Sequence, residues 1–239
     1  MTLGERAAGK LFAVLLLFEA CLVLIYLFDV FAGMPRPVHI LFDLDAERTI
    51  PAWFSSAQLS CIGLVLLLSR FWPQQPHPEV AWFFLFTGLG FLFLSIDEAF
   101  ELHEKVTGLL RPFEWIPRFR GNHGIWIPIY LIVMILLAFL FRHAIAALFQ
   151  AYPRRIRIVL AGLAVFFIGA VGMEVISYQY VRPLGQSSIW YKLEVALEEF
   201  LEMAGASLVL YGVLSGALGA PELPEEGLPL CPDINCQNR

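Results

Sequence analysis

Six stretches of the chain stay apolar for about 20 residues each, at 11–32, 52–71, 80–103, 125–148, 157–178 and 193–219. That length matches a hydrocarbon layer about 30 Å thick, crossed at about 1.5 Å per residue. A backbone in lipid must satisfy its own hydrogen bonds, so each stretch predicts a helix. The first, LFAVLLLFEACLVLIYLFDVFA, follows Arg6 and Lys10. It is longer than the apolar region of a cleavable leader and no small-x-small site follows it, so it reads as a retained helix. The expected fold class is all-α, a polytopic membrane helical bundle of about six transmembrane helices. Residues 1–220 form one domain, and 221–239 form a flexible tail rich in Pro and acids.

Tryptophan placement supports the boundaries. Trp53, Trp72, Trp82, Trp126 and Trp190 lie near expected helix ends and Trp115 in a connection, as in an interfacial belt. Composition points the same way. Hydrophobic residues make up 59% of the 239 positions and charged residues 15%. Soluble domains carry about 45–50% and about 25%. The net charge of −5 and the lack of a basic run argue against nucleic-acid binding. Basic residues divide evenly between the two faces. The Arg6/Lys10 pair and the Arg142–Arg157 loop favour both termini in the cytoplasm. Cys21 and Cys61 read as inert packing residues, while Cys231 and Cys236 could pair in the tail.

Acids inside the apolar stretches change the picture, because each costs about 2.5–3.5 kcal/mol to insert and needs a partner, a proton or water. SIDEAFELHEKV carries Asp97, Glu98, Glu101, His103 and Glu104; GAVGMEVISY carries Glu174; KLEVALEEFLEM carries Glu194, Glu198, Glu199 and Glu202. Alternating crossings bring all of these, with His123 and the Asp43, Asp45, Glu47, Arg48 connection, to one membrane face. At about 100° per residue, Asp97, Glu101 and Glu104 share a stripe, as do Glu194, Glu198 and Glu202; His103 points about 120° away from Asp97. Gly162, Gly169 and Gly172 suit close approach of the fifth helix to a neighbour. Thr49 and Pro51 suit a cap and first turn for the second.

Clustered carboxylates need protons, bases or a cation. One reading is a divalent metal site (Zn, Fe, Mn, Mg or Ca) with Asp97, Glu101, His103, Glu174, Glu198, Glu202 and His123 as candidate ligands. No Glu-x-x-His accompanies it, unlike the di-metal carboxylate bundles. The plainer reading places Glu98, Glu104 and Glu194 at the water interface, pairs Lys105, Arg182 and Lys192 with neighbouring acids, and makes His103 and His123 loop or cap residues. Glu19 either joins the site or bonds a neighbouring helix.

The order DLDAERTIPAWFS, SIDEAFELHE, an isolated intramembrane Glu, then LEEFLEMAGASL resembles an uncharacterised family of bacterial multi-spanning inner-membrane proteins, over about residues 40–212. The resemblance implies a bacterial inner membrane and no particular reaction. Three functions compete: a membrane metalloenzyme acting on a lipid-like substrate, a cation or proton transporter, and a non-enzymatic accessory subunit. The expected partners are the lipid bilayer and either another membrane protein or a second copy of the chain.

Overall fold

The computed structural model describes residues 3–71, 76–119 and 123–217. These residues form helices and connections, with no strand among them. In chain order they are α1 (Leu3–Ala32), α2 (Arg36–Phe42), α3 (Ile50–Ser69), α4 (Val80–Phe100), α5 (Leu102–Leu110), α6 (Trp126–Leu140), α7 (Arg142–Ala151), α8 (Pro153–Phe167), α9 (Glu174–Ile176) and α10 (Ile189–Ala217). A π-helical segment, Ile168–Met173, joins α8 to α9, and a second, Ser177–Val181, follows α9. Trp72, Arg120 and the tail with Cys231 and Cys236 lie outside the described residues.

Four helical runs are long and apolar enough to cross a membrane: Gly4–Ala32, Ile50–Ser69, Val80–Phe100 and Pro153–Leu184. A fifth arises if Trp126–Leu140 and Arg142–Ala151, bent by 69°, count as one. The bend falls where Arg142 leaves the apolar run and its guanidinium turns back to donate to the Phe139 carbonyl oxygen at 3.2 Å. The next helix buries Ala144 and Leu148 and exposes Arg142 and His143, so it is amphipathic rather than a continuation. Four to five candidate spans thus stand among the described residues, and the expected count of six is not confirmed. Residues 193–219 do fall on a 29-residue helix. Its first half holds Lys192, Glu194, Glu198, Glu199 and Glu202, which make that half less apolar than the second.

Large apolar side chains line the outside: Leu17, Leu24, Phe28, Leu68, Leu136 and Phe139 are all at least 60% exposed. So wide an apolar exterior suits lipid, not water. Trp53, Trp82, Trp115 and Trp190 are also exposed, as an interfacial belt requires, whereas Trp126 turns inward. Cys21 and Cys61 are free and face outward, not into packing.

The central helix is α10, which packs against α8, α1 and α3; α3 in turn pairs with α4. Buried Leu59, Ile62, Leu66, Ala206, Val209 and Leu210 form the α3–α10 seam. Small residues permit the closest approaches. A methyl on Gly162 would meet the Val209 nitrogen at 2.7 Å, and one on Gly63 the Gly88 oxygen at 2.8 Å. A serine clasp reinforces α3–α4: the Ser56 hydroxyl donates to the Ser95 carbonyl oxygen at 2.9 Å, and the Ser60 and Ser95 hydroxyls lie 2.7 Å apart. Thr49 caps α3, its hydroxyl oxygen accepting from the Ala52 N–H at 3.5 Å, with proline in the first turn, as the sequence predicts.

Candidate functional site

One end of the bundle gathers the acids. It is built from the end of α4, the π-helical run around α9, the first half of α10 and the connection before α3.

At the end of α4 the backbone of Glu101 turns left-handed, with φ +49°, and α5 starts at once in a new direction. A non-glycine residue in that region is strained and persists only where surrounding contacts hold it. Asp97 supplies such a contact. Its Oδ1 accepts the His103 backbone N–H at 2.6 Å, and His103 Nδ1 lies 3.3 Å from the same oxygen. The turn thus breaks the straight-helix geometry that put His103 about 120° from Asp97. It also dissolves the Asp97–Glu101–Glu104 stripe. Burial works to lower the His103 pKa, but the hydrogen bond and charge of Asp97 outweigh it and hold the imidazole above its ordinary value.

Next to this turn, Trp126 bridges two elements. Its ring lies 5.2 Å from that of His103, and its indole N–H donates to Glu174 Oε1 at 3.2 Å. His123 stacks on Tyr178 with ring centres 4.1 Å apart. Burial and the charges of Arg182 and Arg111 hold His123 below its ordinary pKa. A small cavity of about 70 Å³ lies here, bounded by Glu104, Thr107, Arg111, His123, Glu174 and Tyr178.

The α10 acids form the core of the site. Glu194 is buried, its Oε2 accepting from Ser177 at 3.1 Å, and the Arg182 Nε–H donates to the same serine at 3.3 Å. Glu198 lies within electrostatic reach of Glu194, Glu199 and Glu174. Glu199 feels Glu98, Glu47 and Asp45, and Glu202 feels Glu199, Glu98, Glu198 and Glu174. The contact of the π-helical segment Ile168–Met173 with α10 is tight here, since a methyl on Gly169 would meet Glu202 Cγ at 2.8 Å and the Glu198 oxygen at 3.0 Å. The π-helical turns that flank Glu174 are of a kind that recurs at functional sites, because they re-aim side chains out of the α register.

The connection before α3 forms the lip. Asp45 accepts from the Tyr191 hydroxyl at 2.6 Å and from the Lys192 ammonium at 3.2 Å. Glu47 sits at the exposed rim. Partial desolvation, then the charges of Glu98 and Glu101, push its carboxyl up to about 7 against the opposing pull of His103.

The candidate ligands therefore divide. Glu198 and Glu202 stand with Glu98 and Glu199. Asp97 and His103 form a cap beside Trp126. Glu174 reaches both groups, Glu101 marks the turn, and His123 lies across the small cavity. Among the described residues no three His, Cys, Asp or Glu side chains stand close enough to share a metal ion. Two residues with a plainer reading belong to the site. Glu98 faces Ser55 and the α10 acids, not the water interface, because on α4 it lies one residue round from Asp97. Its signal was the second acid of the Asp-Glu pair. Glu194 is buried inside the wall. Lys192 does pair with an acid, Asp45, whereas Arg182 donates to the Ser177 hydroxyl and the Lys105 ammonium to the Phe100 carbonyl oxygen.

Glu19 sits deeper, fully buried, and bonds its neighbouring helices: its Oε1 accepts from Gln58 at 2.9 Å and from Ser207 at 2.6 Å.

No curated protein and no solved structure matches the chain. A family described as a domain of unknown function, DUF8692, matches residues 12–215, which takes in every helix that builds the acidic end. The chain belongs to that family.

Proposed function

We propose that this is a six-span inner-membrane protein whose acidic end takes up and releases protons from one face. In this reading α10 is the sixth crossing, both termini lie in the cytoplasm and the membrane is bacterial. One observation carries it: the charged groups acting on Glu199 and Glu202 are other carboxylates, contributed by α4, α9, α10 and the connection before α3. Two ionised carboxylates about 5 Å apart repel by roughly 3 kcal/mol at an effective dielectric near 20. A set of four relieves that most simply by holding shared protons. Such a set titrates as a unit, suited to proton-coupled binding or transport.

The test is infrared difference spectroscopy of the purified protein across a pH series. Carboxylic-acid carbonyl bands should persist well above the pH at which free glutamate ionises, and should weaken in E199Q and E202Q. A spectrum with only ionised carboxylates at neutral pH would end this reading.

A further inference from the structure

The polar groups of this bundle do not stop at the acidic end. Five buried side-chain atoms without a hydrogen-bond partner among the described residues fall on α1, α3 and α10: Tyr26 Oη, Glu194 Oε1, Glu19 Oε2, Gln58 Oε1 and Ser215 Oγ. Along α10, Glu194 and Ser215 are 21 positions apart. At about 1.5 Å per residue that is roughly 31 Å, the thickness of the hydrocarbon layer. Ser207 lies between them and carries the Glu19–Gln58 group, with the Gln58 amide donating to Ser207 at 2.8 Å. Tyr26 lies two turns from Glu19 on the same face of α1 and within electrostatic reach of Asp45 and Glu199. Unpaired oxygens in an apolar interior are costly unless water reaches them. Glu19 and Tyr26 share a face of α1, and Ser207 and Ser215 lie within about 80° of each other on α10, so these groups border one seam, while Glu79, Thr107 and Tyr130 carry unpartnered oxygens elsewhere.

We infer that Glu19 is the mid-membrane station of a proton route along the α1–α3–α10 seam, fed from the acidic end and leaving past Ser215. The inference rests on the proton-binding reading of the acidic end and extends it to a transmembrane path. Each transfer is balanced: water delivers H⁺ to the free Glu19 Oε2, making the neutral acid, and the proton leaves to water on the far side, restoring the carboxylate. Gln58 and Ser207 hold Oε1 throughout, so Oε2 is the oxygen that changes state. As α1, α3 and α10 close around it, the polar groups facing Glu19 are Gln58 and Ser207, with the Met203 carbonyl oxygen 3.4 Å from the Gln58 amide.

The experiment reads proton flux into proteoliposomes loaded with a pH-sensitive dye, under an imposed potential, for wild type, E19Q, E19D and E202Q. Glutamine keeps an acceptor for Gln58 and Ser207 but carries no exchangeable acid proton. E19Q should fold, with an unchanged melting temperature in detergent, and lose flux by an order of magnitude, while E19D keeps a measurable part. Full flux in E19Q, or wild-type flux no greater than empty liposomes, overturns the route. Neither result bears on the infrared titration of Glu199 and Glu202, which stands or falls separately. If E19Q misfolds, E19D flux equal to that of empty liposomes also overturns it.

Discussion

Gly169 and Gly172 are three residues apart on one π-helical segment, yet a single methyl should act on them with opposite sign. At Gly169 the added carbon would lie 2.8 Å from Glu202 Cγ, 3.0 Å from the Glu202 nitrogen and 3.0 Å from the Glu198 oxygen. Two of those three obstacles are backbone, so no rotamer change clears them. To restore ordinary contact near 3.5 Å the two helices must part by about 0.5 Å, and a gap of that size forfeits about a quarter of each contact's well depth across the seam. Overpacking of this kind costs about 1–3 kcal/mol, and the gain of alanine over glycine in a helix returns up to about 1. The net expectation for Gly169→Ala is a loss of about 1–2 kcal/mol. At Gly172 the nearest atoms are Ile168 Cγ2 at 3.8 Å and the Phe167 oxygen at 4.0 Å, both on the same helical run. Gly172→Ala should therefore be neutral or stabilising by up to about 1 kcal/mol. Reversible unfolding in mixed micelles measures both against wild type. Equal effects of the two substitutions would refute the claim that the π-helical segment and α10 meet at Gly169.

Two further outcomes follow from the titrating groups. A histidine held above its ordinary pKa stabilises the fold fully below about 6.5, and that stability fades as pH rises through its folded value. Asp97→Asn should thus destabilise more at acidic than at alkaline pH, while the amide oxygen still accepts the His103 N–H and keeps the pH-independent cap; thermal unfolding at either side of neutrality checks it. For Glu47 the sign is the same: a carboxyl raised from 4.5 to about 7 favours folding below 4.5 and loses that advantage as pH climbs from there through 7. Glu47→Gln should flatten the decline by less than about 1 kcal/mol, because water at the exposed rim screens the group. A steeper decline in the variant would contradict the placement of Glu47 beside Glu98.

Lipid-crossing helices were the legible part of the fold, because a run of about 20 apolar residues has few other uses. Thr49 and Pro51 were readable for the same local reason, as a cap and a first turn. The gathering of α4, α9 and α10 acids at one end followed from alternation of crossings alone. What escaped was everything that depends on leaving the straight helix. The left-handed Glu101 folds His103 back onto Asp97, and that turn carries no glycine to announce it. Phe141 bends the fourth stretch with no proline. The π-helical turns around Glu174 leave no periodic trace. Trp126 has the same local setting as the belt tryptophans, and its inward role depends on Glu174, which is 48 positions away.

The serine clasp between α3 and α4 has a mechanical consequence. Ser56, Ser60 and Ser95 lock those two helices at the depth where Ser55 faces Glu98, so that wall of the acidic end behaves as a stator. Compliance is left to the opposite wall, where the widened turns Ile168–Met173 and Ser177–Val181 flank a three-residue α segment. Sliding one such turn along by a single residue would swing the side chains it passes by about 100°, Glu174 among them, while the helix ends stayed anchored.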